Sequence, residues 1–175
     1  TYTTAMKIDI NSRISLSNND SSGAVGTTIF GYLAGDDIAS TGTQNTLFGH
    51  NAGHELKLGD NNICIGYNAM YNSYISDAQE ANTTDNIFIG TSAGAGLFTT
   101  TGSKKNIAIG SFALDADLVG NVGTIAIGHQ SLTQVSSGLY NTAIGYQSGY
   151  TTGTVNANTF MGYGSGYYTT GASNT

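Results

Sequence analysis

Three histidines, eleven acidic residues and a lone cysteine are where reactive groups could gather in this 175-residue chain. His50 and His54, with Glu55 beside the second, have the H-x-x-x-H separation that on a helix turns both rings toward one metal ion. The flanking sequence predicts no helix; His50 and His129 each directly follow a glycine where related stretches carry Tyr, Ser or Thr, so these two are expected to be exposed substitutions. Asp36 with Asp37, and Asp115 with Asp117, offer oxygens of the kind that hold Ca²⁺, but neither pair lies in a D-x-[DN]-x-[DN]-G loop. Paired carboxylates are also what glycoside hydrolysis needs. Here the acids fall in spacers of unequal length, and no pair recurs with a supporting group. No Ser-His-Asp order, phosphate-cradling glycine loop or redox cysteine pair can be assembled. The expectation is a non-enzyme with no catalytic residue, no metal ligand and no cofactor.

Tyrosine is the remaining candidate. Tyr146, Tyr150, Tyr163 and Tyr167, with Tyr168, crowd the last quarter of the chain on a polar background. Such rings either stack on one another across neighbouring structural units or offer an aromatic surface to a ligand such as a glycan.

What must position these residues is a repeat. Aligned on one glycine, its copies give Gly31, Gly49, Gly66, Gly90, Gly110, Gly128, Gly145 and Gly162, with steps of 18, 17, 24, 20, 18, 17 and 17. A period near 17 with two insertions is the signature of a solenoid or fibre. Four residues before the glycine stands Asn45, Asn62, Asn86, Asn106, Asn141 or Asn158, replaced by Thr27 and Thr124 in two copies. Coils stacked as parallel strands about 4.8 Å apart place equivalent side chains above one another, and asparagine amides then bond along the stack as a ladder.

Between asparagine and glycine lie three mostly apolar positions. The outer two are Thr28, Thr46, Ile63, Ile87, Ile107, Ile125, Thr142, Thr159 and Phe30, Phe48, Ile65, Ile89, Ile109, Ile127, Ile144, Met161. Strand alternation puts both on one face, and their regularity marks that face as the core. The middle position, Ile29, Leu47, Cys64, Phe88, Ala108, Ala126, Ala143 or Phe160, points the other way. Two apolar faces require cover on both sides, so the middle column is expected to meet other copies of the chain, with its alanines marking the closest approach. The glycine supplies a positive φ or room for a backbone contact. Three residues later only Ala or Ser occurs, from Ala34 to Ser165, which predicts a tight return.

Composition agrees with a fibrous all-β chain: 25 glycines, no proline, no tryptophan and 9% charged residues. A net charge of −6 with five scattered basic residues leaves no stripe for nucleic acid. No run reaches the roughly 18 apolar residues of a membrane helix. Cys64, alone in its column, reads as a small buried hydrophobe. Residues 1–22 lack the repeat. Ile8, Ile10, Ile14 and Leu16 alternate there with polar residues, which predicts an extended strand with one buried face that caps the first coil. Residues 23–175 form the β-roll, and residues 71–80, the longest insertion, are expected to leave the coil. Asn174 and Thr175 read as the opening of another copy and suggest a longer polypeptide.

The stretches Asn141, Thr142, Ala143, Ile144, Gly145 and Asn106, Ile107, Ala108, Ile109, Gly110 resemble the head repeat of trimeric autotransporter adhesins. With Tyr146, Gln147, Ser148 and Gly149 added, the sequence is more similar to the repeats of bacteriophage tail fibre proteins, and residues 12–20 resemble the segment that precedes such repeats. The resemblance spans residues 27–166. It implies a left-handed parallel β-roll or β-solenoid of about eight coils, assembled as an intertwined or side-by-side homotrimer. It further implies an extracellular fibre segment on a virion that supports attachment to a host surface glycan or protein beside other virion proteins. A bacterial trimeric surface adhesin is the near alternative; an ice-binding solenoid and a fibre-borne polysaccharide depolymerase are the distant ones. The threonine-rich spacers do not form one Thr-x-Thr array, which counts against ice binding.

Overall fold

The computed structural model describes residues 6–8, 14–16, 26–38, 42–72, 83–98, 102–150, 153–154 and 156–174. Among these the structure is all-β. Two short strands, β1 (Met6–Ile8) and β2 (Ile14–Leu16), pair antiparallel in a sheet of their own. Among the described residues the alternating segment holds these two short strands, and neither joins the main sheet. The turn signals that follow, at 17–25, lie outside the described residues, as do residues 73–80 of the longest insertion.

Each repeat contributes one three-residue strand: β3 (Thr28–Phe30), β4 (Thr46–Phe48), β5 (Ile63–Ile65), β6 (Ile87–Ile89), β7 (Ile107–Ile109), β8 (Ile125–Ile127), β9 (Thr142–Ile144) and β10 (Thr159–Met161). They pair in chain order as one parallel eight-stranded sheet, a β-solenoid. Register never slips, so Ile107 meets Ile125, Ala108 meets Ala126 and Ile109 meets Ile127. The turns stack as the strands do: the Phe112 N–H donates to the Thr91 carbonyl at 2.9 Å, and the Leu114 N–H to that of Ser131 at 2.9 Å.

The asparagine ladder forms as the spacing predicts. Asn86 donates its backbone N–H and its amide to Asn62 Oδ1 at 3.1 and 3.0 Å, and its own Oδ1 accepts the same pair from Asn106 at 2.9 and 3.1 Å. The second amide hydrogen of each goes to a carbonyl on the returning chain, Ser103 for Asn86 and Asn121 for Asn106. Asn174 continues the ladder onto Asn158. Except at the exposed Asn174 these amides are buried, so every donor and acceptor satisfied there removes a desolvation cost of about 1 to 3 kcal/mol.

The assignment of faces is the reverse of the sequence expectation. The middle column is the interior: Leu47, Cys64, Phe88, Ala108, Ala126 and Ala143 are 0% exposed within the single chain. The outer columns face away, with Phe30 and Phe48 each 52% exposed and the isoleucines mostly half-buried. The cause lies in the return segment, which supplies the inner wall through Ala52, Ala69, Ala93 and Ala113 and through Ile38, Leu56, Phe98, Leu118 and Val135. The chain thus closes over its middle column unaided, and the alanines there mark no contact between copies.

The interior is filled by an exchange of bulk inside each coil. Four residues after the repeat glycine stands Gly35, Gly53, Met70, Gly94, Leu114, Leu132, Gly149 or Gly166. Where the middle residue is large the turn residue is glycine: a Cβ at Gly94 would lie 2.9 Å from the Phe88 ring, and one at Gly53 would lie 2.7 Å from Leu47. Where the middle residue is Cys64, Ala108 or Ala126, the turn carries Met70, Leu114 or Leu132, all fully buried. Coil seven, with Ala143 and Gly149, is filled from outside itself, because Leu132 and Phe160 crowd Gly149 from the coils on either side.

Left-handed backbone recurs with equal regularity. All seventeen non-glycine residues with positive φ among those described fall in three columns, those of Gln44, Leu33 and Met70. Lys105, Phe112 and Tyr140 are poor residues for φ near 60°, at about 1 to 2 kcal/mol each, and the stacked hydrogen bonds hold them there.

The repeat glycine is required twice over, by φ between 115° and 147° and by the coil above. A Cβ at Gly145 would stand 2.4 Å from the Gly162 carbonyl oxygen, whereas one at Gly162 meets nothing within 4 Å. Gly145→Val is expected to lose several kcal/mol in urea unfolding, and Gly162→Ala only the conformational part, about 1 to 2 kcal/mol; equal losses would refute the stacking account. In a second cycle, Phe88→Ala alone should cost about 3 to 5 kcal/mol. Adding Gly94→Leu should recover part of that loss, with a favourable coupling of about 1 to 3 kcal/mol, and an additive pair would show that bulk is not exchanged.

Candidate functional site

Stacking that aligns the core also aligns the surface. The residue after the repeat glycine forms a column of Tyr32, His50, Tyr67, Thr91, Ser111, His129, Tyr146 and Tyr163, exposed except at the half-buried Ser111. At one end His50 stands between Tyr32 and Tyr67, edge-on to both at 5.3 Å. At the other, His129 lies flat against Tyr146 at 5.2 Å and 10°, and Tyr146 against Tyr163 at 5.4 Å and 5°. Beside this rank Gln147 donates its amide to Gln130 at 2.8 Å. A second column, four residues further on, stacks Tyr150 on Tyr167 at 4.8 Å, with Tyr168 at 4.6 Å from Tyr167.

The four tyrosines singled out from the sequence therefore form two pairs, one in each column. Nearly parallel rings cover each other's faces, which leaves edges and hydroxyls outward. A sugar that stacks on an aromatic face finds one only at the open end of the rank, at Tyr163, which is 82% exposed. His129, in the tyrosine column, and Tyr168 belong to the same clusters, and so does Phe112, which the spacing of the tyrosines does not pick out.

Apart from His50, which stands in the aromatic column, the candidate metal and acid groups scatter over other columns. His54 joins Tyr71 at 5.1 Å, and its Nε2 lies 4.0 Å from Asp36. Tyr71 thus still belongs to the coil, although the insertion was expected to begin there. His50 and His54 serve different ladders. Asp117 accepts the Leu97 N–H at 3.0 Å, and Asp115 accepts that of Ala95. Among the described residues no three histidine, cysteine or acidic side chains are gathered as for a metal ion. Cys64 is buried against the Met70 sulfur at 3.3 Å, and burial pushes its thiol well above the ordinary range.

The larger surface feature is the outward face of the sheet. Ile63, Ile65, Ile87, Ile89, Ile107, Ile109, Ile125, Ile127 and Ile144 form one apolar field, flanked by the stacked pair Phe30 and Phe48 at one end and by Met161 at the other. No charged residue interrupts these two columns.

Burial raises Asp115 from 3.8 to about 6, opposed in part by the Ala95 N–H. An acid whose pKa is higher in the folded state binds its proton more tightly there, so its ionisation disfavours folding. The contribution is favourable below pH 3.8 and is lost as pH rises to about 6. Relative to the parent, Asp115→Asn should gain melting temperature progressively across that window and hold the gain above it; a difference that does not change with pH would refute the assignment.

No protein-family model, curated protein or solved structure matches the chain. Its own geometry carries the functional reading.

Proposed function

We propose that the chain is a structural segment of a homotrimeric fibre, of the tail-fibre kind its repeats resemble, which supports attachment to a host surface without a catalytic step of its own. The observation that carries this is the nine-isoleucine outer face, which one chain leaves half-covered. Strands of three residues span about 10 Å, and eight at about 4.8 Å spacing span about 34 Å. Three such faces turned toward a shared axis would remove on the order of 1,000 Å² from water. At about 25 cal/mol per Å², about 400 Å² offsets each association cost of about 10 kcal/mol, or about 800 Å² for the two associations that make a trimer. The available area exceeds that requirement. The copies thus meet through the outer columns, while the alanine column stays inside each chain.

The face also weighs against an ice-binding solenoid. Thr28, Thr46, Thr142 and Thr159 share it, but the neighbouring position in each of those strands is Phe30, Phe48, Ile144 or Met161, so no Thr-x-Thr rank is presented. The aromatic columns lie on the same strand-to-turn segments and are the natural place for contact with a host glycan through hydroxyls and ring edges.

Light scattering on the purified chain is expected to give three times 18.0 kDa. Ile127→Glu should yield a folded monomer, whereas Ala126→Glu should unfold the solenoid, because only the second places a charge in the chain's own interior. A wild-type monomer would refute the trimeric fibre, and an Ile127→Glu protein that keeps its mass would refute this choice of interface.

A further inference from the structure

We propose that Tyr150 and Tyr167 are a site of oxidative cross-linking, at which one carbon–carbon bond staples coil seven to coil eight. The pair has what radical coupling between phenols requires. The ring centroids lie 4.8 Å apart with the planes at 17°, the same residue on consecutive coils, so the two phenols are held face to face within reach of each other. Tyr168 touches Tyr167 at 4.6 Å and is 80% exposed, which gives an external oxidant a phenol to attack and a contact through which the hole passes inward.

The chemistry balances with hydrogen peroxide and a haem peroxidase as oxidant. Each phenol gives up one electron and one proton. The two tyrosyl radicals join through one ortho carbon each, and the hydrogen on each joined carbon moves to its oxygen as the rings regain aromaticity. The peroxide takes the two electrons and two protons and leaves as two waters. The product is a biphenol two hydrogens lighter than the parent chain.

Other tyrosines of the described surface are internal controls. His50 separates Tyr32 from Tyr67. Tyr146 and Tyr163 also stack, but at 5.4 Å and with no third phenol in contact. The proposed bond joins neighbouring coils of one chain and closes a loop through the eighth coil, so it restrains that coil against fraying whether or not the chain is trimeric.

The test treats the full 175-residue chain with a haem peroxidase and one equivalent of hydrogen peroxide. Expected are loss of two hydrogens from the intact single chain, biphenol fluorescence, a cross-linked peptide joining positions 150 and 167, and a higher melting temperature. Tyr150→Phe, which keeps the stacked ring, should abolish the product, while Tyr146→Phe should retain it. The proposal is overturned by an unmodified chain, by coupling mapped to 146 with 163 or to 167 with 168, or by covalent dimers on a denaturing gel in place of the internal bond.

Discussion

The amide-to-amide bond between successive asparagines is the interaction on which the remaining structure depends. It fixes position, because Oδ1 of one residue receives both the backbone N–H and the side-chain amide of the next, as Asn62 does from Asn86. A coil that slipped by one residue would leave buried amides unsatisfied at every step and would turn apolar side chains to the wrong face. With register held, the glycine column is forced to be glycine up to Gly145, since each of these stands against the carbonyl of the next. The surface follows the same constraint, and side chains that share a column meet whether or not they attract one another.

This explains what the sequence disclosed and what it concealed. The asparagine and glycine columns could be read because a single geometry, repeated at every coil, permits few alternatives. Thr27 and Thr124 substitute because a hydroxyl still reaches part of the bonding pattern, as Thr27 Oγ1 does in accepting the Asn45 N–H at 3.3 Å. The left-handed columns could not be read. Lys105, Phe112 and Tyr140 carry no preference for positive φ, and only the hydrogen bonds of neighbouring coils explain their conformation. Coupling between the middle column and the turn four residues past the glycine was equally hidden, since neither column is uniform when viewed alone.

The inverted faces have a specific cause. Uniformity was read as the mark of a core, and the isoleucine columns were the more uniform. Inside the coil, however, bulk can be supplied from either wall: Phe88 opposite Gly94 and Ala108 beside Leu114 fill equivalent space. An interior with two sources of volume tolerates variety at each. Packing density constrains their sum and leaves the individual residue free.

The outer face has no such freedom within one chain. Ile107 and Ile109 have no turn residue across from them whose size could compensate for their own, and the flat field they share with Ile125 and Ile127 stays the same over coils that differ widely inside. Solvent alone would favour polar residues there, as it does on the exposed side of most antiparallel sheets. A surface that keeps one apolar side chain at both positions through four successive coils would suit a partner equally regular, as the proposed assembly requires. The most economical match is the same face on another copy, where the period of the partner equals its own by identity of sequence.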